Sequence, residues 1–300
     1  MADLERRRIV IFLVATFGFS WGIFAVIWAT GGLAGQMIVE GLPLSVPLLL
    51  VAMFGPSFGN FVARIATREG WDDLRLGFNG PAKAWAVVWP GIIVAAVVGA
   101  AIYFLVFPGE FDPTLSAFEG QLDEATGGQE LPLDASVIAI IQVVAAVLFA
   151  PFINAIPAFG EEFGWRGYLQ WKLRPLGWRP MLLWMGAIWG VWHWPIIAMG
   201  YNYGDGYWGF PITGMLAFLV FTTSVGAILA WATEVTGSSI PAAVGHGTVN
   251  GIAGVGVLFA ATNDHPLLGP ATVGLAAGLG FVGLAWLVAR REPVVPPENR

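Results

Sequence analysis

The chain has 300 residues, 57% of them hydrophobic and 11% charged, with a mean hydropathy of +0.72; soluble domains carry about 25% charged residues, so an ordinary soluble protein is excluded and a polytopic membrane protein is indicated. The absence of cysteine excludes disulfides, thiolate nucleophiles and cysteine-ligated metals. A net charge of −6 without a basic stripe gives nucleic acid no footing.

A membrane span needs about 20 apolar residues, and eight segments meet that length: 9–30, 44–65, 84–107, 135–157, 181–199, 211–233, 240–260 and 271–289. The predicted fold class is therefore all-α, a membrane helix bundle of about eight spans forming a single domain over 1–300. The first segment follows the charged head Met1-Ala2-Asp3-Leu4-Glu5-Arg6-Arg7-Arg8. It is longer than a signal-peptide core and no Ala-x-Ala site follows, so it is read as a retained first span. Gly-x-x-x-Gly spacing at Gly18/Gly22, Gly55/Gly59, Gly186/Gly190 and Gly274/Gly278 predicts close helix packing at four places.

Basic residues set the orientation. Arg6, Arg7 and Arg8 precede the first span; Arg64, Arg68, Arg75 and Lys83 surround the second connection; Arg166, Lys172, Arg174 and Arg179 follow the fourth span; Arg290, Arg291 and Arg300 follow the eighth. In an eight-span arrangement all of them fall on one side, which predicts cytoplasmic N- and C-termini. The opposite loops hold acids, among them Glu110, Asp112, Glu119, Asp123, Glu124, Glu130 and Asp134 in the long third connection, read as a mobile, solvated loop able at most to filter substrates. Residues 67–78, with Trp71, Leu74, Leu76 and Phe78 among charges, read as an interfacial segment. The proline-rich tail 293–300 is predicted to be disordered. No internal repeat is visible, which counts against a transporter.

Apart from Arg64, counted with the second connection, the ionisable groups within or directly continuing the spans are Glu161, Glu162 and Arg166 after the fourth, His193 on the fifth and His246 on the seventh, with Asn250 one turn beyond. Charge at membrane depth is expensive and marks a functional site by default. Glu162 and Arg166, four apart, share a helix face in the favourable order and read as a structural ion pair. Glu161 points about 100° away and is left without a local partner, a setting suited to a general base. His246 and Asn250 also share a face, so an imidazole and an amide project together. At about 1.5 Å of rise per residue, Glu161, His193 and His246 fall within about 7 Å of one another in depth below the cytoplasmic flank. They can therefore line one wet pocket open to the cytoplasm.

Glu161-Glu162-x-x-x-Arg166-Gly167-x-Leu169, then Trp189-x-x-x-His193, then His246-x-x-x-Asn250 after Gly237-Ser238-Ser239-Ile240-Pro241 resemble, in order and spacing, the three motifs of the CPBP family. These are intramembrane glutamic endopeptidases that include CAAX prenyl proteases and bacteriocin-processing or Abi-type immunity proteins. The resemblance covers about 135–260, and Trp189 stands where the family commonly has phenylalanine. It implies hydrolysis of a peptide bond in a peptide or membrane-associated protein, in a multi-pass protein of the cell membrane, without cofactor or metal. It also implies roles: Glu161 with His193 activating water, His246 and Asn250 binding the oxyanion, and Glu162 and Arg166 bracing the site. Two alternatives remain at this point. Two glutamates and two histidines suit zinc, although no His-Glu-x-x-His helix is present, and a non-catalytic transporter or immunity protein could keep the same polar cluster.

Overall fold

A computed structural model describes residues 2–78, 80–129 and 131–293; Glu130 and most of the proline-rich tail lie outside these. The chain is mostly helical. Helix α1 (Ala2–Ala29) buries Phe12, Thr16, Ser20 and Phe24, a one-in-four spacing that lines a single face. A short antiparallel ribbon, β1 (Met37–Val39) with β2 (Leu42–Pro43), leads into α2 (Ser45–Ala52) and α3 (Gly55–Thr67). Pro56 in the first turn of α3 has no N–H to offer the preceding helix, and the chain breaks there. Helix α4 (Ala82–Ala86) passes through a π turn, Val87–Gly91, that contains Pro90, into α5 (Ile92–Val106).

Helix α6 (Ser116–Thr126) lies in the third connection. The fourth predicted span is interrupted: α7 (Ala135–Leu148) ends before Pro151, a short α8 (Ala150–Ile153) follows, and α9 (Ala155–Gly164) continues through a π turn, Trp165–Leu169, into α10 (Gln170–Leu173). Helices α11 (Trp178–Ile197) and α12 (Ile212–Thr236) pack as a pair, and a three-residue turn opened by left-handed Gly237 joins α12 to α13 (Ile240–Ile252). The last helix, α14 (Leu279–Ala289), packs on α5 and α12.

Among the described residues five helical stretches are long and apolar enough to cross a membrane: Asp3–Ala29, Ser45–Thr67, Ala82–Val106, Ile212–Thr236 and Ile240–Phe259. Helices α7 and α14 are apolar but shorter. The eighth predicted span is helical only in its second half, because residues 271–278 form turns.

Two of the four glycine pairs make close crossings. A Cβ on Gly55 would lie 1.9 Å from Ser20 Oγ and one on Gly59 2.0 Å from Thr16 Oγ1, where α3 meets α1; one on Gly186 would lie 2.4 Å from Thr223 Oγ1 and one on Gly190 2.6 Å from Leu219 Cδ2 of α12. Gly18 and Gly22 have nothing within 4 Å of such a Cβ, and Gly274 and Gly278 meet only nearby turn backbone. Both predicted interfaces are absent, the first because α1 turns its Phe12/Thr16/Ser20 face inward instead.

Ion pairs gather the basic connections at one end of the bundle. Arg8 Nε lies 3.3 Å from Glu69 Oε2, Lys172 pairs with Glu69 and with Glu5, and Arg174 Nε lies 3.0 Å from Glu234 Oε1. Buried Arg64 holds the 67–78 segment, reaching Asp73 and the Gly70 carbonyl at 2.7 Å each. At the other end the acidic loop is folded where a loose one was expected. Glu110 accepts from Tyr103, His265 Nε2 lies 3.5 Å from Glu110, and Leu115 and Phe118 of the loop pack with Leu258 and Phe259.

Candidate active site

Helix α9 delivers two adjacent carboxylates into the interior; Glu161 is 2% exposed, and Glu162 and Arg166 are fully buried. One oxygen of Glu162, Oε1, accepts from both Arg166 Nη1 and His246 Nδ1, each at 2.9 Å. The i,i+4 pair read from the sequence is thus also the anchor of α13. A Cβ on Gly247, beside the histidine, would lie 2.4 Å from the Pro151 carbonyl. Only a residue without a side chain lets α13 approach α8 this closely and carry His246 to Glu162. Gly226 of α12 makes similar room for the guanidinium, since its Cβ would lie 3.3 Å from Arg166 Nη2.

Glu161 faces away from this pair and is held differently. Its Oε2 accepts from the indole N–H of Trp189 at 2.7 Å and, more weakly, from that of Trp165 at 3.4 Å. The sequence reading left Glu161 without a local partner, yet Trp165 stands four residues on, on the same helix face. Trp189, which stands where the resembled family commonly has phenylalanine, is the second and nearer donor. Its ring lies under the Arg166 guanidinium, with Cζ 4.7 Å from the centroid, and edge-on to His246 at 5.2 Å and His193 at 5.9 Å. One side chain therefore touches all three motifs.

The hydrogen bonds also orient the imidazoles. His193 Nδ1 is 2.8 Å from the Trp189 carbonyl, which can only accept, so Nδ1 carries the hydrogen and, in the neutral ring, Nε2 keeps its lone pair. Trp192 and Phe218 pack against the ring at 4.6 and 4.7 Å, limiting its rotation. His246 donates through Nδ1 to a carboxylate, and its Nε2 is bonded to no described residue. Asn250 lies exposed one turn further along α13 and makes no hydrogen bond among the described residues. It is not part of the bonded cluster, and its amide is free to meet a ligand.

Glu234 was missed because the predicted sixth span stops at 233. It is fully buried and held by Arg174 and, at 3.3 Å, by Gln170 Nε2, away from the cluster around Trp189. Among the described residues no three His, Asp or Glu side chains gather so as to hold a metal ion.

Residues 136–252 match a family model described as Type II CAAX prenyl endopeptidase Rce1-like. The matched region runs from α7 to the end of α13 and contains every residue of the cluster. A search of curated proteins finds no match.

Proposed function

We propose, for a multi-pass membrane chain whose residues 136–252 carry the family region of a CAAX protease, that Glu161 is the general base of an intramembrane endopeptidase. The observation that carries this reading is the convergence of Glu161, His193 and the Glu162–His246 pair around the single indole of Trp189. A buried carboxylate with a neutral imidazole whose Nε2 lone pair is open can hold one water between them. As that water attacks the scissile carbonyl carbon, Glu161 takes its proton and the carbonyl oxygen becomes an oxyanion. His246, when protonated at Nε2, and Asn250 donate to the oxyanion; one such donor contributes about 3 to 4 kcal/mol of barrier lowering. The C–N bond then breaks as the proton held by Glu161 passes to the leaving nitrogen, which restores the carboxylate.

Glu162 accepts the Nδ1 hydrogen of His246 and counters the charge of the imidazolium whose Nε2–H meets the oxyanion, and Arg166 offsets the buried charge of Glu162. The substrate class is a peptide or a membrane-associated protein. Access from the cytoplasmic side is supported by the basic connections gathered at the end of the bundle toward which α10 leads. The test is cleavage of a peptide library by purified protein, paired with a comparison of protein N- and C-terminal fragments between cells carrying wild type and Glu161→Ala. Fragments lost in a stably folded Glu161→Ala support the reading; unchanged cleavage by that variant overturns it.

A further inference from the structure

Glu161 has two oxygens, and only one of them is tied down. Trp189 Nε1 and Trp165 Nε1 both end on Oε2, at 2.7 and 3.4 Å, while Oε1 is bonded to no described residue. A carboxylate on a flexible Glu side chain rotates freely about its last torsion unless something fixes its plane. Here the fixing groups are rigid. Trp189 is 2% exposed and Trp165 fully buried; the Arg166 guanidinium covers the face of the Trp189 ring, and Phe12 packs edge-on to Trp165 at 5.7 Å. One donor comes from the helix that carries Glu161 and the other from the helix that carries His193.

We propose that Trp189, assisted by Trp165, is a positioning residue: by occupying Oε2 of Glu161 the two indoles leave Oε1 as the oxygen that takes the proton from water and hold it at a fixed orientation relative to His193. This rests on the reading of Glu161 as the base. A phenylalanine at position 189 could fill the same space but has no N–H to give, so the clamp is a property of the tryptophan and not of the aromatic ring. The same contact binds α9 to α11. The distance between base and imidazole is thus set by a hydrogen bond to the base itself, not by general packing alone.

The test replaces Trp189 with phenylalanine and, separately, with 3-benzothienylalanine, which keeps the bicyclic ring and lacks the N–H. Trp184→Phe, on the exposed side of the same helix, serves as control. Both position-189 variants are expected to lose about ten- to a hundred-fold in kcat, the range for a lost hydrogen bond to a charged group. KM should stay within about twofold because substrate binding is untouched; both variants lose the hydrogen bond that joins α9 to α11 and should still fold, melting a few degrees lower, with the benzothienyl ring keeping the bicyclic packing that phenylalanine gives up. A benzothienyl variant with wild-type kcat, or one in which only KM rises, overturns the clamp. Independently of turnover, the indole ¹⁵N–H resonance that disappears in Trp189→Phe should move upfield in Glu161→Ala as the carboxylate acceptor is lost; an unmoved resonance also overturns it. Retained cleavage by Glu161→Ala would sink the base assignment itself. An inactive Glu161→Ala beside a fully active benzothienyl enzyme would sink only the clamp.

Discussion

Arg166 and His246, from different helices, donate to the same oxygen of Glu162 at the same distance, 2.9 Å. Glu162 is thus the cross-link between α9 and α13, and it sits where water cannot substitute for it. Glu162→Ala is expected to destabilise the protein by about 3 to 5 kcal/mol, because it leaves a buried guanidinium unpaired. Thermal melts in detergent check this, and a melting temperature equal to wild type would show the pair to be dispensable. Arg166→Lys should not rescue the fold as a conservative change, since an ammonium lacks the planar fork that stacks on Trp189.

Glu161→Gln separates chemistry from structure. The amide oxygen still accepts from Trp189, so the melting temperature should hold, while turnover should fall by about 10²-fold or more with the loss of the base. Steady-state kinetics on any peptide cleaved by the wild type decide it; normal kcat in this variant removes Glu161 from the reaction.

His193→Ala should abolish turnover. Asn250→Ala should leave a slow residual rate, roughly 10²- to 10³-fold below wild type, without any change in stability, because the exposed amide bonds to no described residue. A fully active Asn250→Ala would leave His246 as the sole oxyanion donor.

The glycine pairs give a paired stability test. Gly59→Val forces a side chain onto Thr16 Oγ1, 2.0 Å from where its Cβ would stand, and should cost about 1 to 3 kcal/mol or more by overpacking the α1–α3 crossing. Gly18→Val meets nothing within 4 Å and should be neutral in the same melt. Equal effects would mean that α1 packs through a different face.

Asp112 provides a pH-dependent element at the opposite end. The Thr114 hydroxyl, the Ala117 and Thr114 amides and the Ser116 hydroxyl all donate to it and hold its carboxyl well below the usual carboxylate range, against the opposing effect of burial. A depressed folded value means that this stabilisation is complete above the ordinary value of about 3.9 and is lost as pH falls through the folded one. Hydrogen exchange at 112–118, corrected for intrinsic rates, should lose protection only below about pH 4, and Asp112→Asn should show the loss at neutral pH. Equal protection in Asp112→Asn would remove Asp112 as the anchor of the Ala117 amide in the first turn of α6.

The helical class and the residues of the cluster were legible because both are written in local spacing. Apolar runs of span length give helices, and i,i+4 pairs give faces. What escaped was whatever depends on a partner far away in sequence. Trp189 meets Glu161 across 28 positions, and nothing local marks an indole as donor and not wall. Gly-x-x-x-Gly marks a face able to approach a neighbour, but which face turns inward was decided at Phe12, Thr16 and Ser20, so Gly18 and Gly22 misled. Glu234 was lost to a boundary drawn one residue early. The acidic loop looked loose because charge density says nothing of the Tyr103, Thr114 and Ser116 hydroxyls that answer it.

Both the backbone amide and the hydroxyl of Ser239 rest on the Arg75 carbonyl, at 2.9 and 3.1 Å, and His246 lies about two turns further along the helix that starts there. The irregular strand of chain between α3 and α4 is therefore a mooring line for the third motif. Epitope tags or reporter cassettes spliced into 70–78 for topology mapping will tug on His246, whereas the turn at Gly127 and Gly128, on the far side, offers a neutral berth.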